Sequence, residues 1–292
     1  MHHFYLFVAG VGIGTNIPPM PDLSRSDLIK LLAVFPANAK MGARLSGVNL
    51  RELDLRGLNF THADLVGSDL TGANLTGAFL TGADFSRAVL DGADLSGVQA
   101  VEACFDRARM TGARLLLANL TSASLAEADL PGALLRGADA QRARFKNADL
   151  SAADLSHAHL QGARMQGVQL TDADLTAAEL DGAELNDANL DRVRADGACF
   201  AGAHLLKASF LDANLRHAAL REANFSGAFL MGADLSEATC SRALFREANL
   251  SGAKLRRAHL SQVSLRGAIY DERLLREALL QETILADGTR SA

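Results

Sequence analysis

The sequence predicts an all-β solenoid, with a short capping helix at each end. Three observations support this prediction. Apolar residues recur every five positions from Ala43 to Tyr270 without an insertion or deletion. The 20 glycines in that stretch all lie two residues after a central apolar residue. Trp is absent and aromatic residues make up 5% of the chain, so the interior must be built mainly from Leu and Ala.

A period of five excludes both an α-helix and a continuous strand. In a helix the central residues would drift by about 140° per unit. In a strand an odd period sends successive side chains to opposite faces. The backbone must therefore turn once per unit. We expect a short extended segment whose Ala and central residue point inward, followed by a two-residue corner where Gly tolerates positive φ.

The central residues show a pattern of paired sizes. Taking Leu45, Leu50 and so on to Tyr270 gives 46 units, and 31 of the centres are Leu. Each Ala or Cys centre is followed in the next unit by Phe. If consecutive centres share one layer, the ring occupies volume that its small neighbour leaves free. The predicted core pairs are Ala100 with Phe105, Ala140 with Phe145, Ala195 with Phe200, and Cys240 with Phe245.

The units also resemble a known repeat. Ala93-Asp94-Leu95-Ser96-Gly97 and Ala73-Asn74-Leu75-Thr76-Gly77 are similar to the A(D/N)LXX unit of the pentapeptide repeat family. The resemblance covers 228 of the 292 residues. It implies a right-handed quadrilateral β-helix with four units per coil, so that 46/4 gives about 11.5 coils. With coils spaced by about 4.8 Å, the rod would be roughly 55 Å long.

The N-terminal region divides into two predicted parts. Residues 1–21 are expected to form a flexible segment; a weak export signal within it, and a true start at Met20, both stay open. Residues 22–42 are expected to form a helical cap, because a solenoid end with unpaired edges needs covering. Ser24 or Ser26 would be the N-cap of this helix, and Pro36 would end it. Its apolar face would contain Leu28, Leu31, Leu32 and Phe35.

Residues 43–270 form the predicted repeat domain, and residues 271–292 admit two interpretations. Leu275, Leu280 and Leu285 continue the five-residue phase. The favoured interpretation is a helix that begins at Asp271 and stops before Gly288. Its apolar surface exceeds what one cap needs, and some family members dimerise through this end, so the resemblance implies a homodimer here. The residues predicted for the cap or dimer are Leu274, Leu279 and Ile284.

Charge and composition exclude several classes of protein. The net charge is −5 and the pI about 5.9, which argues against direct nucleic-acid binding. The charge is uneven, with 22 acidic and 14 basic residues in 43–200 but five acidic and nine basic residues in 201–270. No apolar run approaches the roughly 18 residues of a membrane span. Three distant cysteines suggest neither a disulfide framework nor a metal site, and we expect a cytoplasmic protein.

No residue pattern indicates catalysis. The sequence lacks GxSxG, a phosphate loop and a dinucleotide fingerprint. Most Asp residues precede a central residue, where they can bond to the local backbone. His157 and His159 are expected to face solvent. We therefore predict that the protein is not an enzyme and uses no cofactor or metal.

Apolar residues at outward positions are the candidate binding residues. Leu211, Phe229 and Met231 flank the centres Phe210 and Leu230, which lie four units apart and so share one side of neighbouring coils. A second group contains Leu116 and Leu134, while Phe79 stands alone. Each group is predicted to contact a protein partner, because contiguous exposed apolar surface marks interaction sites.

The sequence therefore favours a non-enzymatic protein–protein interaction scaffold. One alternative comes from the resemblance: some family members resemble duplex DNA in width and negative charge, bind DNA gyrase and give quinolone resistance. A type II topoisomerase would then be the partner. The acidic 43–200 segment fits this alternative, whereas the basic 201–270 segment and the lack of loop insertions do not. A secreted bacterial effector, with an export signal in about the first 40 residues, is a third hypothesis.

Overall fold

The computed structural model describes residues 23–33 and 42–291. From residue 42 the backbone repeats an extended segment followed by a two-residue turn. Each residue before a centre pairs in parallel with the equivalent residue four units later, as in Asp64 with Asp84 and Asp84 with Cys104. The ladders run in this register from Arg44 to Ile284. Four units therefore complete one coil, as predicted, and the rod has four faces.

Three backbone hydrogen bonds per unit join neighbouring coils. In the unit centred on Leu95, the amide of Leu95 donates to the carbonyl of Arg114 (2.7 Å) and that of Gly97 to Leu116 (2.9 Å). The amide of Asp94 donates in the opposite direction, to Ala73 (2.9 Å). Because the same bonds recur along the rod, the extended segments leave few backbone groups unsatisfied.

The corners have the predicted backbone conformation. All 20 glycines of the repeat lie at the second turn position with φ between 62° and 72°. Many other residues adopt the same left-handed conformation there, which costs roughly 1–2 kcal/mol for a side chain other than Gly. The Asp or Asn before the centre accepts a hydrogen bond from the first turn residue, as when Ser86 N donates to Asp84 Oδ1 (2.8 Å).

The core is one continuous column of buried side chains. Leu95, Leu115 and Leu135, which occupy the same position on three successive coils, have no exposed surface. Rings related in the same way stack: the centroids of Phe85 and Phe105 lie 5.0 Å apart, with planes 11° from parallel. All eight members of the predicted small–large pairs are buried, whereas the volume compensation between them stays a prediction.

A helix covers the N-terminal end. Helix α1 (Arg25–Leu32) begins at the N-cap Ser24, whose side chain accepts from Asp27 N, while Asp27 accepts in return from Ser24 N. Leu28 is completely buried in the core cluster, and Arg25 Nη1 donates to Asp54 Oδ1 (3.0 Å) on the first coil. This helix lies within the segment 22–42 that was predicted to form a cap, and it ends at Leu32. Phe35, Pro36 and the segment 1–21 lie outside the described residues.

The C-terminal helix predicted for 271–285 is wrong. A 3-10 helix occupies Glu272–Glu277, capped by Asp271, and strand β2 (Leu279–Gln281) then pairs in parallel with β1 (His259–Ser261). Ile284 continues the ladder by pairing with Ser264. The last coil offers unpaired backbone groups that a helix would leave exposed, and the returning chain satisfies them.

The final residues fold back over this edge. Ile284 and Arg290 form an antiparallel bridge, with Leu285 N donating to Thr289 O and Ser291 N to Thr283 O (both 2.8 Å). Thr283 is fully buried. Among the residues that the structure describes, no helix has the length and apolar character needed to cross a bilayer.

Candidate functional site

Two surfaces of the rod combine exposed and half-buried apolar side chains. The first, the Leu117 corner, consists of Leu116, Leu117 and Leu134. Leu116 and Leu117 form one turn, and Leu134 lies on the next coil, where it pairs with Arg114. Leu116 and Leu134 are half-buried. Leu117 is 73% exposed, more than any other large apolar side chain in the described ranges.

Leu117 is also an unusual residue type for its turn position. Its φ of 55° is left-handed, and it is the one large apolar residue in the described part of the chain with positive φ. The equivalent positions on the neighbouring coils are Gly97 and Gly137. A Cβ on Gly137 would lie 2.9 Å from Leu117 Cδ2, so the leucine side chain lies over that glycine. Leu117 is not among the residues predicted from the sequence; a leucine at a turn position that otherwise holds Gly, Ala or a polar residue was the available signal.

Two arginines border the Leu117 corner. Arg114 Nε lies 3.6 Å from Asp94 Oδ2. Arg136, in the turn directly above Leu116, is exposed and forms no ion pair with any residue that the structure describes. The corner therefore combines an apolar centre with a guanidinium group that is free to meet a carboxylate.

The second surface, the Phe229 face, is the outer side of five consecutive coils. Its central ladder joins Asn189, Ser209, Phe229, Asn249 and Ile269. Phe229 is 47% and Ile269 58% exposed. None of the five central residues carries a charge.

Further apolar side chains flank this ladder. Leu206 and Leu211 lie in the turns on either side of Ser209, and Met231 follows Phe229 by two residues. Leu206 is exposed, while Leu211 and Met231 are half-buried. The structure thus brings together the predicted group of Leu211, Phe229 and Met231. Leu206 and Ile269 extend it, and the spacing of two whole coils between Phe229 and Ile269 could have revealed the latter.

Charged residues line one edge of the Phe229 face. They occupy the turns that precede the ladder residues, all are exposed, and none forms an ion pair with the described residues. Going up the rod they are Asp187, Lys207, Arg246, Glu247 and Arg266. Both signs of charge are therefore distributed along this edge.

Titratable groups elsewhere form no converging site. No three His, Cys, Asp or Glu residues among those described could hold a metal ion. His159 Nδ1 lies 2.9 Å from Glu179 Oε2 on the outer surface. Burial raises the pKa of the Cys240 thiol to about 12, and burial with a hydrogen bond to Asp181 raises the pKa of Cys199. Neither thiol is activated as a nucleophile.

An open polar groove of about 340 Å³ lies on another corner. Its lining includes Arg221, Ser241, Arg242 and Ser261. Both guanidinium groups lie near Glu222 Oε1, with nitrogen–oxygen distances of 3.3 and 3.5 Å. Their charge is therefore partly neutralised within the chain.

Comparison with known proteins decides the family. Segments that together run from residue 41 to residue 269 match the family described as Pentapeptide repeats. The chain belongs to the pentapeptide repeat family. Membership, together with ladders that pair each unit with the fourth one after it, makes the fold a right-handed quadrilateral β-helix. No curated protein matches the chain.

Several solved pentapeptide repeat structures are similar to this one. HetL, involved in heterocyst differentiation regulation in the cyanobacterium Nostoc sp. strain PCC 7120, is 30% identical over 92% of this chain and 100% of its own, with a TM-score of 0.29. A protein from the Arabidopsis thaliana thylakoid lumen is 24% identical over 41% of this chain and 79% of its own (TM-score 0.33). QnrB1, a plasmid-mediated fluoroquinolone resistance protein, is 19% identical over 84% of this chain and 92% of its own (TM-score 0.21).

Ion pairs between coils partly neutralise the acidic segment of this pentapeptide repeat protein. Arg192 makes two hydrogen bonds of 2.7 Å to the Asp172 carboxylate and lowers its pKa. Asp129 behaves differently. Burial raises its pKa, and the nearby carboxylates of Asp149 and Asp91 raise it further. The carboxylates of Asp129 and Asp149 thus lie close together on one ladder.

The residues predicted for a C-terminal cap or dimer do not form one surface. Leu274 is half-buried against the core as part of the cap. Leu279 is 51% exposed on one face, whereas Ile284 is half-buried on the next face between Ser264 and Arg290. Dimerisation through this end stays a prediction.

Proposed function

We propose that this pentapeptide repeat protein is a non-enzymatic scaffold that binds a protein partner at the Leu117 corner. The observation that carries the proposal is the exposure of Leu117 in a left-handed conformation. Gly at this position would avoid both the strain and the exposed apolar surface, as it does at Gly97 and Gly137. Many turns of the rod share this left-handed conformation, so what distinguishes Leu117 is its large and exposed apolar side chain. A binding role accounts for a residue that folding alone does not favour.

The surroundings of the corner indicate the chemistry of the partner. Burying an exposed leucine contributes roughly 1.5–3 kcal/mol, so Leu117 alone would supply a large part of a modest affinity. Arg136 carries an unpaired charge beside it. The matching partner is a protein segment with apolar side chains that cover Leu116, Leu117 and Leu134, and with a carboxylate that meets Arg136.

Capture of partners from a lysate of the native host, followed by mass spectrometry, tests the proposal. The variant Leu117→Gly removes the apolar side chain and relieves the strain, so it should fold at least as stably while losing the partner. Ala177→Gly is the matched control. It lies on the same corner three coils further on with φ 54°, and it relieves similar strain without removing apolar surface of this size. Equal capture by both variants, or no specific partner for the wild type, would disprove the proposal.

A charge-reversal variant tests the expected partner chemistry. Arg136→Glu should weaken capture and make the remaining binding less sensitive to salt, because the expected contact is ionic. Capture that is unchanged by Arg136→Glu would restrict the partner contact to the three leucines.

Protection of DNA gyrase is the second candidate function. The negative charge around Asp129 and Asp149 and the fluoroquinolone resistance of QnrB1 support it. The ion pairs between coils and the basic 201–270 segment count against it. A gyrase supercoiling assay with a fluoroquinolone separates the candidates. Protection by micromolar protein would favour this function, and its absence would exclude it.

The proposed location is the cytoplasm. Cys104, Cys199 and Cys240 are all free thiols, which a reducing compartment preserves. Fractionation of the native host tests this location, and recovery of the protein from the medium would instead favour the secreted effector.

A further inference from the structure

We infer that the Phe229 face is a surface for self-association. Two copies meet face to face through it and run in opposite directions, related by a two-fold axis that passes beside Phe229. This dimer is separate from partner binding, because the Leu117 corner lies on a different side of the rod and several coils away.

The regular ladder determines which residues meet. Successive coils hold Ser209, Phe229 and Asn249 directly above one another. A two-fold axis across the rod at Phe229 places each coil opposite the coil equally far on the other side. Phe229 then opposes Phe229 of the second copy, and Met231 opposes Met231. Ser209 opposes Asn249 of the second copy.

The centre of the contact is suited to burial. The large side chain of Phe229 is half-exposed, and the ladder above and below it is uncharged. Removing this surface from water therefore desolvates no charge. The overlap of five coils is about 24 Å long, which places the contact among small, reversible interfaces.

The charged edge is complementary to itself in this arrangement. Lys207 lies one coil below Phe229 and Glu247 one coil above, so each opposes the other across the axis. Asp187 and Arg266, two coils below and above, do the same. Because of the two-fold symmetry, each of these two ionic contacts occurs twice in the dimer. These four groups are exposed and unpaired within the described chain. A fifth charge on this edge, Arg246, donates to Ser264 Oγ of its own chain and opposes Leu206 of the second copy.

The opposite edge of the Phe229 face contributes less to the contact, because its charged residues find no consistent partners of opposite sign. Asp212 meets the uncharged turn of Ser251 and Gly252. Asp191 and Arg192 face the start of the 3-10 helix at Asp271. Arg192 already pairs with Asp172 in its own chain.

Negative charge further down the rod decides between the two face-to-face orientations. A parallel pair would also bring Lys207 near Asp212, but it would set Asp129 and Asp149 against their own copies. Residues 43–200, which carry 22 acidic and 14 basic side chains over their four faces, would then lie beside the same segment of the second copy. Like charges held together strongly disfavour association. The antiparallel pair leaves these segments at opposite ends.

Analytical ultracentrifugation of the full chain over a concentration series tests the dimer. The wild type should show a reversible monomer–dimer equilibrium. Phe229→Glu should raise the dissociation constant by roughly tenfold or more, because two carboxylates would meet on the axis. Phe79→Glu is the matched control: Phe79 is 50% exposed in the same position of its unit, but on another face, and its substitution should change nothing.

Three results would overturn the inference. They are a wild type that stays monomeric throughout, a dimer that tolerates Phe229→Glu, and a dimer that is lost in Leu279→Glu instead. The last would assign the contact to the C-terminal end. Circular dichroism of each variant confirms that the fold is intact, so that a loss of dimer is not a loss of structure.

Crosslinking tests the orientation. Packed sheets lie about 10 Å apart, which is too far for a disulfide, so a short bis-maleimide reagent is appropriate. The background carries Cys104→Ser and Cys199→Ser, because these two cysteines are partly exposed. In the antiparallel dimer Asn249→Cys alone should not crosslink, whereas Ser209→Cys combined with Asn249→Cys should. Efficient crosslinking of Asn249→Cys alone would show a parallel pair and overturn the proposed arrangement.

Discussion

The narrow interior makes individual core side chains depend on one another. Ala140 and Phe145 are consecutive centres on adjoining sides of the coil, and both are buried. Protein interiors are packed too tightly to absorb an added group without movement. The size of one centre therefore limits the size of the next.

Ala140→Leu should accordingly destabilise the rod. Overpacking costs about 1–3 kcal/mol, because the added atoms displace the neighbouring ring. Chemical denaturation measures the difference in unfolding free energy. Combining Ala140→Leu with Phe145→Leu should recover part of the loss, since the second change restores volume. Equal unfolding midpoints for Ala140→Leu and wild type would show that the pair does not share space.

Asp129 should destabilise the protein at neutral pH. Its pKa is raised in the folded state, first by burial and then by Asp149 and Asp91. Folding is therefore favoured when the group is protonated, below the unfolded pKa near 3.9, and loses that advantage as the pH rises through the folded pKa. Asp129→Asn should raise the melting temperature at pH 7 and lose this effect as the pH falls below about 4.

Asp172→Asn is the control for Asp129→Asn, because it should shift the melting temperature at pH 7 in the opposite direction. Arg192 lowers the pKa of Asp172, so this carboxylate stabilises the fold above the unfolded pKa and stops doing so in acid. Its replacement should lower the melting temperature at pH 7. If both variants shift the melting temperature in the same direction, local electrostatics do not determine these effects.

At the residue scale, the sequence predicts which side chains point inward and which point outward. It predicts less well which of the outward side chains are functional. The repeat phase places Leu116 and Leu134 outward, and the structure confirms that both reach the surface. Leu117 was missed because the prediction considered the residues that flank the centres directly, and the second turn position otherwise holds Gly, Ala or a polar residue. Ile269 was missed because its relation to Phe229 appears only after the coils are stacked.

At the scale of elements, the two ends of the rod are covered in different ways. Helix α1 covers the first coil through Leu28 and its Arg25 contact with Asp54. The last coil is covered by returning chain that extends the ladder. The N-terminal cap therefore depends on helix stability, whereas the C-terminal cap depends on strand pairing.

Ser24→Ala should loosen the N-terminal cap. The change removes the acceptor for Asp27 N and costs about 1 kcal/mol of helix stability. Hydrogen exchange of the amides in Arg25–Leu32 should become faster, while that of the central coils stays unchanged. Ser26→Ala is the control, because Ser26 lies inside the helix and is not its N-cap. Equal acceleration by both changes would argue against the capping role of Ser24.

The C-terminal end shows where sequence periodicity becomes ambiguous. The apolar residues between Leu274 and Leu285 fit one side of a helix and also fit the repeat phase. Local pattern cannot separate these alternatives, because the deciding interaction is pairing with His259–Ser261, a full coil earlier in the chain. The central coils carried no such ambiguity, since a period of five suits no helix.

At the scale of the whole molecule, each coil of four units should behave as a removable module. Deleting 146–165 removes four whole units and joins the centre Phe145 to the turn residue Gln166. Because Gln166 is equivalent to the deleted residue Lys146, every later side chain keeps its face. The shortened protein should fold and lose about 4.8 Å of length, which small-angle X-ray scattering measures. Deleting 148–165 instead breaks the five-residue phase and turns inward side chains outward. That control should fail to fold, and a folded product would contradict the role of phase.

The unbroken ladder also fixes the axial distance between two proteins that bind at different positions along the rod. Inserting one coil between the Leu117 corner and the Phe229 face would lengthen their separation by about 4.8 Å without changing their relative direction. Inserting a single unit would instead swing one surface by about a quarter turn around the axis, because four units complete a coil. Distance and azimuth between two docked proteins could thus be adjusted independently, which suits this architecture to the engineered positioning of paired cargoes.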